Sequence, residues 1–206
     1  MRLQGLRTNV LGSLSLSGLC ITAVIASLFL GSGSLGQSAT QVSSGHNRYE
    51  NEHYRFSFEY PKTWATSEAL DGNAVSVSPS GQSRSRIAVS GRKVMSTEAH
   101  TLSLEEDFEA SLRAIQKKRP HPEHHPENVF VEKKETTTFA GLPAIVSTIR
   151  FDQDGQAWVE QGLLFHSRDG ETAYEISIHC HPDELSAFQP IYDKVVQTFR
   201  LIGPPM

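Results

Sequence analysis

Only two cysteines occur in the 206 residues, Cys20 and Cys180, and Cys20 lies in an apolar N-terminal stretch. A mature domain without that stretch keeps Cys180 alone. This excludes an intramolecular disulfide framework, so an apolar core has to hold the domain together. An excess of basic charge is also missing. Nineteen Lys and Arg stand against 23 Asp and Glu, and the first 40 residues hold Arg2 and Arg7 with no acid. The remainder therefore carries 17 basic and 23 acidic side chains, a net of -6. A mildly acidic body argues against nucleic acid and against an anionic membrane surface as partners. Catalytic signatures are absent too: there is no Gly-x-Ser-x-Gly elbow, no phosphate-binding loop and no His-Glu-x-x-His.

What is present begins with a leader pattern. Met1 to Asn9 is polar with two arginines, Val10 to Leu30 is apolar and uncharged, and small residues run from Gly31 to Ala39. That order reads as a secretory signal peptide over residues 1–36, with cleavage after Gly36, or after Ala39 as the other option. About 20 apolar residues also suffice to span a bilayer, so an uncleaved N-terminal anchor is the alternative. Leu19 before Cys20 does not suit lipidation. Residues 37–47 are polar and without periodicity, and read as a flexible tether. The expected location is exported, in the periplasm or outside the cell. The thylakoid lumen or membrane anchoring through residues 1–36 is the alternative.

From residue 48 the pattern is that of one globular domain. Tyr54, Phe56, Phe58 and Tyr60 alternate with Arg55, Ser57 and Glu59, a half-buried strand with four aromatics on one face. Pro61 ends it and Trp64 follows as an apolar anchor. Ala74 to Ser78 and Arg86 to Ser90 are short strands, and the three together suggest an antiparallel meander. Ser103 to Lys118 is a helix. Ser103 and Glu106 form a capping box, acids crowd its first turn, and Leu104, Phe108, Leu112 and Ile115 make a stripe expected to pack on the aromatic sheet face. After a proline-rich loop at 119–128, four strands are expected at about Val129–Lys133, Ala144–Phe151, Ala157–His166 and Thr172–Cys180. Asp152–Gly155 and Ser167–Gly170 serve as hairpin turns. In the last strand Tyr174, Ile176, Ile178 and Cys180 share one face, and Glu175, Ser177 and His179 the other. A second amphipathic helix runs from Asp183 to Arg200, with Pro190 expected to kink it or divide it in two. Runs of strands with two helices and no βαβ alternation mean α+β with a mainly antiparallel sheet.

Three pieces in this order carry a resemblance: Tyr54 to Trp64 (Tyr-Arg-Phe-Ser-Phe-Glu-Tyr-Pro-Lys-Thr-Trp), Ala140-Gly-Leu-Pro-Ala144, and Phe188 to Leu201 ending Thr-Phe-Arg-Leu. Residues 48–202 resemble the PsbP-type domain, shared by the photosystem II extrinsic subunit PsbP and by bacterial envelope proteins of the DcrB type. The resemblance implies an α-β-α sandwich with a central antiparallel sheet. It implies a binding or assembly module and no enzyme. On that basis the expected function is to bind or assist assembly of an envelope or membrane protein complex, with a photosystem II-associated lumenal role as the alternative. The chain itself is expected to be a monomer.

Two histidine clusters are the candidate chemistry. His121, His124 and His125 lie in the proline-rich loop beside Glu123 and Glu127, and His179 and His181 stand two apart at a strand end, where both imidazoles share a face. Imidazoles suit zinc or copper, so a divalent-metal binding protein is the second reading, although no standard ligand spacing is present. The plain alternative is that all five are solvated surface residues. Cys180, on the opposite face among apolar groups, is expected to have a raised pKa and no role as a nucleophile. Trp64 and Trp158 read as core or sheet-face residues.

Overall fold

The computed structural model describes residues 41–42, 45–79, 84–94, 96–97, 100–116 and 126–203. In chain order the elements are β1 (Gln41–Val42), β2 (His46–Asn51), β3 (Phe56–Pro61), β4 (Trp64–Glu68), β5 (Ala74–Pro79), β6 (Arg86–Lys93), β7 (Ser96–Thr97), β8 (His100–Thr101), α1 (Leu104–Gln116), β9 (Glu127–Phe139), β10 (Leu142–Gln153), β11 (Gln156–His166), β12 (Thr172–Cys180), α2 (Leu185–Thr198) and β13 (Arg200–Leu201). A seven-stranded sheet of order β4-β5-β6-β12-β11-β10-β9 forms the centre, and all of its pairings are antiparallel. This is the α+β class expected from the sequence. Tight turns make the hairpins: Ala140–Gly141 and Asp154–Gly155 both hold two successive positive φ angles, which matches the twist of the flanking strands.

The aromatic strand sits elsewhere than the meander reading places it. β3 pairs with β2 and β13 in a separate four-stranded sheet of order β1-β2-β3-β13. Its backbone groups are taken up on both sides, and after Pro61 the chain reverses into β4, an edge strand of the large sheet that the sequence reading passed over. The early meander is therefore β4-β5-β6. The aromatics keep their predicted face and lay it on the large sheet. Phe56, Phe58 and Tyr60 are buried, together with Tyr49, Val75, Val77, Ile87, Val89, Phe165, Ile176 and Ile178. Tyr54 lies before the strand, in a turn where Arg55 has φ 56°. The tether expected over 37–47 also gives up its end, because Gln41 and Val42 pair with Asn47 and His46.

The helices take opposite faces. α2 packs on the aromatic side through Phe188, Tyr192 and Val195, and runs unbroken through Pro190 rather than in two pieces. α1 does not meet the aromatics: Phe108, with Leu104 and Leu112 beside it, packs on Val94, Ile145, Leu164 and Ala173 of the other face. The aromatic face was already covered by β2, β3 and α2, and the second face of the sheet needed a lid. The capping box forms as read, with Ser103 N donating to Glu106 Oε2 at 2.8 Å and Glu106 N to Ser103 Oγ at 3.3 Å. Lys134 of β9 ties α1 down through Glu105 and Glu109 and lies 4.5 Å over the Phe108 ring.

Gly91 of β6 faces the aromatic side, where a Cβ would stand 2.6 Å from Tyr54 Cβ and 2.7 Å from Tyr54 Cγ. The hydroxyl of Tyr174 donates to Tyr54 O at 3.0 Å, which holds that turn in place. Gly91→Ala is therefore expected to destabilise the domain by about 1–3 kcal/mol, because the turn backbone has to shift and a side-chain rotation does not relieve the clash. Urea unfolding compared with Gly162→Ala, a strand position whose Cβ would meet nothing nearer than 3.8 Å, checks this.

Candidate functional site

The strand alternation that buries Tyr174, Ile176, Ile178 and Cys180 on one side puts Ala173, Glu175, Ser177 and His179 on the α1 side. Register carries the same face across the sheet, to Arg86, Ala88, Ser90 and Arg92 of β6 and to Trp158, Glu160, Gly162 and Leu164 of β11. Leu112 and Phe108 cover the β9–β10–β11 part of this face. Over β6 and β12, Ala88, Ser90 and Glu175 keep accessible surface although each lies in the middle of the sheet. A groove floored by small residues follows. Ser147 and Ser177 are buried beside Gly162, where a Cβ would meet Glu175 Oε1, Ser147 Oγ and Ser177 Cβ, each at 3.8 Å, and Ser76 is buried on the same face three strands away, beyond Ala88.

Charged groups line this groove in a row. At one end Asp107 of α1, fully buried, accepts from Arg92 Nη2 at 2.8 Å and pairs with His166 Nε2 at 2.9 Å. Glu175 and Glu160 come next, then Arg86, His179 and finally Trp158. His179 Nδ1 lies 3.8 Å from Glu160 Oε2, too far for a hydrogen bond. His179 Nδ1, Arg86 Nη2, Arg92 Nη1, Asp107 Oδ1 and Trp158 Nε1 are buried with no hydrogen-bond partner. Burial raises the Glu160 carboxyl, partly offset by the Arg86 charge. Burial also raises Glu175, with the Glu160 charge adding to it and Arg92 opposing it, and the carboxyl is pushed up to about 7. Burial lowers His179 to about 3, aided by Arg86 and His181, so its imidazole is neutral.

A group whose folded pKa lies above its unfolded value binds its proton more tightly in the native state. Glu175 therefore favours folding below pH 4.5 and opposes it progressively as pH rises toward 7. Glu175→Gln, which cannot ionise, is expected to be more stable than the wild type at pH 8 by about 1–3 kcal/mol and nearly equal to it at pH 5. Denaturant unfolding at the two pH values reads this directly.

Comparison with solved structures decides the fold. The solution structure of cyanobacterial PsbP (CyanoP) from Synechocystis superposes with a TM-score of 0.54 at 12% identity, covering 84% of this chain and 98% of that one. The fold is PsbP-like. The Saccharomyces cerevisiae Ran-binding protein Mog1p shares it, with a TM-score of 0.52 at 10% identity over 80% of this chain and 97% of its own. No sequence-family model matches the chain, and no curated protein matches it either.

Within this PsbP-like fold the sequence-predicted histidines divide. His121, His124 and His125 lie outside the described residues. The rings of His179 and His181 both contact Trp158, with centroids 4.6 and 4.0 Å from that of the indole. His181 Nδ1 lies 3.1 Å from Ala157 O. His179 is not the solvated strand-end residue of the plain reading, being only 4% exposed. Among the described residues no group of three or more His, Cys, Asp and Glu is arranged to hold a metal. Cys180 is a buried free thiol on the apolar face, pushed up to about 11 by burial, with Glu184 and Asp183 adding to it. The groove carboxylates escaped the sequence reading. Their signal was a polar face on a strand central enough to be covered on both sides.

Proposed function

We propose that this chain is an exported, non-catalytic module that binds or assists assembly of an envelope or membrane protein complex. The observation that carries the reading is the groove, which gathers unpartnered polar atoms with no activated nucleophile beside them. The thiol that sequence brings nearest to the histidines points to the opposite face of the sheet and is held protonated by burial. Such a surface recognises and does not react. The scaffold supports the same reading, since Mog1p, on this fold, is a Ran-binding protein. Export rests on the basic start, apolar middle and small-residue end of residues 1–36. Among the described residues no helix is long and apolar enough to cross a membrane.

The test is chemical crosslinking in intact cells with the full-length chain tagged at its C-terminus, followed by native electrophoresis of the isolated envelope. A defined complex of fixed stoichiometry is the expected result. Recovery of free monomer alone, or of the chain in the cytoplasm, overturns the proposal. Association with photosynthetic membranes would place it in the lumenal version.

A second reading is favoured by one observation: the His179 and His181 rings both lie against the Trp158 indole, the first stacked on it and the second tilted. These two, joined by His121, His124 and His125, would hold zinc or copper. Saturable binding at micromolar metal that is lost in His181→Ala is the expected outcome. Absence of saturation ends the idea.

A further inference from the structure

We propose that the free edge of β9 pairs with the same edge of a second copy of this chain, antiparallel about a two-fold axis at Thr136, joining two seven-stranded sheets into one. This goes beyond the assembly role, because such a dimer forms with or without a larger complex. It replaces the monomer expected from the sequence.

β9 is the outermost strand of the central sheet and pairs only with β10. At 13 residues it is the longest edge strand among the described residues. β4, at the other margin, has 5 residues, and β1 and β13, at the margins of the small sheet, have 2 each. Such an edge presents a row of unused N–H and C=O groups, and native chains blunt it with proline, a bulge or a lysine. Register with β10 slips at Glu132, and that bulge guards the first half of β9. From Lys133 to Phe139 the register is unbroken and no proline intervenes. The lysines there are turned aside. Lys134 is drawn over α1 by Glu105 and Glu109, and Lys133 is held along its own strand by Glu135 at 3.1 Å. Glu135, Thr136, Thr137 and Thr138 are all exposed, and among the described residues their backbone bonds run to β10 alone.

The turn fixes which groups are free. Ala140–Gly141 is a two-residue loop, so it closes on a bonded pair, Phe139 with Leu142. Alternation then turns Thr137, Glu135 and Lys133 toward β10. The N–H and C=O groups of Thr138, Thr136 and Lys134 face out. Pro143, with no N–H to give, stands opposite Thr138, where β9 needs none.

These constraints select a second copy as the occupant. Outward groups have to meet outward groups, so the axis of an antiparallel dimer passes through a residue and not between two. With Thr136 on the axis all seven regular residues overlap. Thr136 meets Thr136, a favoured cross-strand pair, Glu135 meets Thr137 and Lys134 meets Thr138, with no like charges opposite. An axis at Glu135 sets Glu135 against itself. An axis at Lys134 opposes two lysines and brings the bulge into the ladder. An axis nearer the turn shortens the overlap. The charges beside the axis are countered within each copy, so two chains of net charge -4 meet where they repel little.

The experiment is sedimentation of the purified full-length chain over a concentration series. A contact of this size falls below the area of a stable interface, so a reversible dimer is expected, with a dissociation constant on the order of 100 μM. Thr136→Pro removes an outward N–H and no bond to β10, and Thr136→Glu puts like charges on the axis at an exposed position. Both should keep the wild-type urea midpoint and weaken the dimer about tenfold or more. At the same concentrations a short bismaleimide should join chains carrying Thr136→Cys, whose axis residues stand about 5.5 Å apart. It should not join chains carrying Thr138→Cys, about 14 Å apart. Cys20→Ser is the background, and Cys180 is buried. Monomer alone up to millimolar protein, an undiminished dimer in a folded variant, or equal crosslinking at the two positions overturns the proposal. So does a chain that is monomeric when purified yet crosslinks through Thr136→Cys to a different protein in intact cells, which gives the edge to that protein.

Discussion

Asp107→Ala is expected to destabilise the domain by about 3–5 kcal/mol at pH 7, because it removes one partner from a buried charged cluster and leaves the others without compensation. Asp107 is fully buried, and its Oδ2 is shared by Arg92 and His166. Burial alone would raise its carboxyl. The hydrogen bond from His166, then the Arg92 charge, outweigh burial and hold it below the ordinary carboxylate value of 3.8. A depressed folded pKa stabilises the native state above the unfolded value, and that contribution fades as pH falls through the folded one. The gap between wild type and variant should therefore be full at pH 7 and shrink below pH 4. Asp107→Asn keeps the volume and one acceptor but not the charge, and should fall between the two. Urea unfolding at pH 7 and pH 3 makes the comparison, and a loss under about 1 kcal/mol at pH 7 would show that the cluster does not anchor α1.

Phe56→Ala should cost about 3–5 kcal/mol, the range for emptying an aromatic site in a core that cannot collapse around it. Phe56 is fully buried, with ring centroids 5.7 Å from Phe199, 6.1 Å from Tyr49 and 6.3 Å from both Phe58 and Tyr174. These neighbours come from β2, β3, β12 and the end of α2, so one cavity loosens the small sheet, the helix and the large sheet together. Phe130 on β9, at 53% exposure, is the control, and its replacement by alanine should change stability by less than about 0.5 kcal/mol. Equal losses at the two positions would mean that the aromatic strand does not organise the core.

Local patterns were legible where the chain writes them locally. β12, Thr172–Cys180, follows its alternation to the residue, and Ser103 and Glu106 announce the start of α1. Asp154–Gly155 announces a hairpin. Legibility ended where the partner is remote. Alternation in Phe56–Tyr60 shows that one face is buried, yet it says nothing of which strand receives its hydrogen bonds, and β3 joined β13 rather than β5. β9 runs from Glu127 to Phe139, well past the expected Lys133, because Lys, Glu and Thr on an exposed edge strand carry no apolar period. The stripe of α1 marks a packing face but does not say which side of the sheet receives it, and it lies opposite the aromatics expected to meet it. Amphipathicity fixes that a helix packs, and the layer already occupied decides where. The groove was hidden for a related reason. Glu160, Glu175 and His179 look like a solvent face until both sides of β12 are known to be covered.

The pairing of β3 with β13 has a temporal consequence. Phe56 meets Leu201 across the ladder, and Arg55 exchanges bonds with Ile202, 147 residues later. The small sheet thus remains unfinished until residues 200–202 have been made, and its oily ribbon waits uncovered while the intervening chain emerges. A nascent polypeptide of this design stays open to escort factors over the whole interval between the two strands and locks only when the later one arrives.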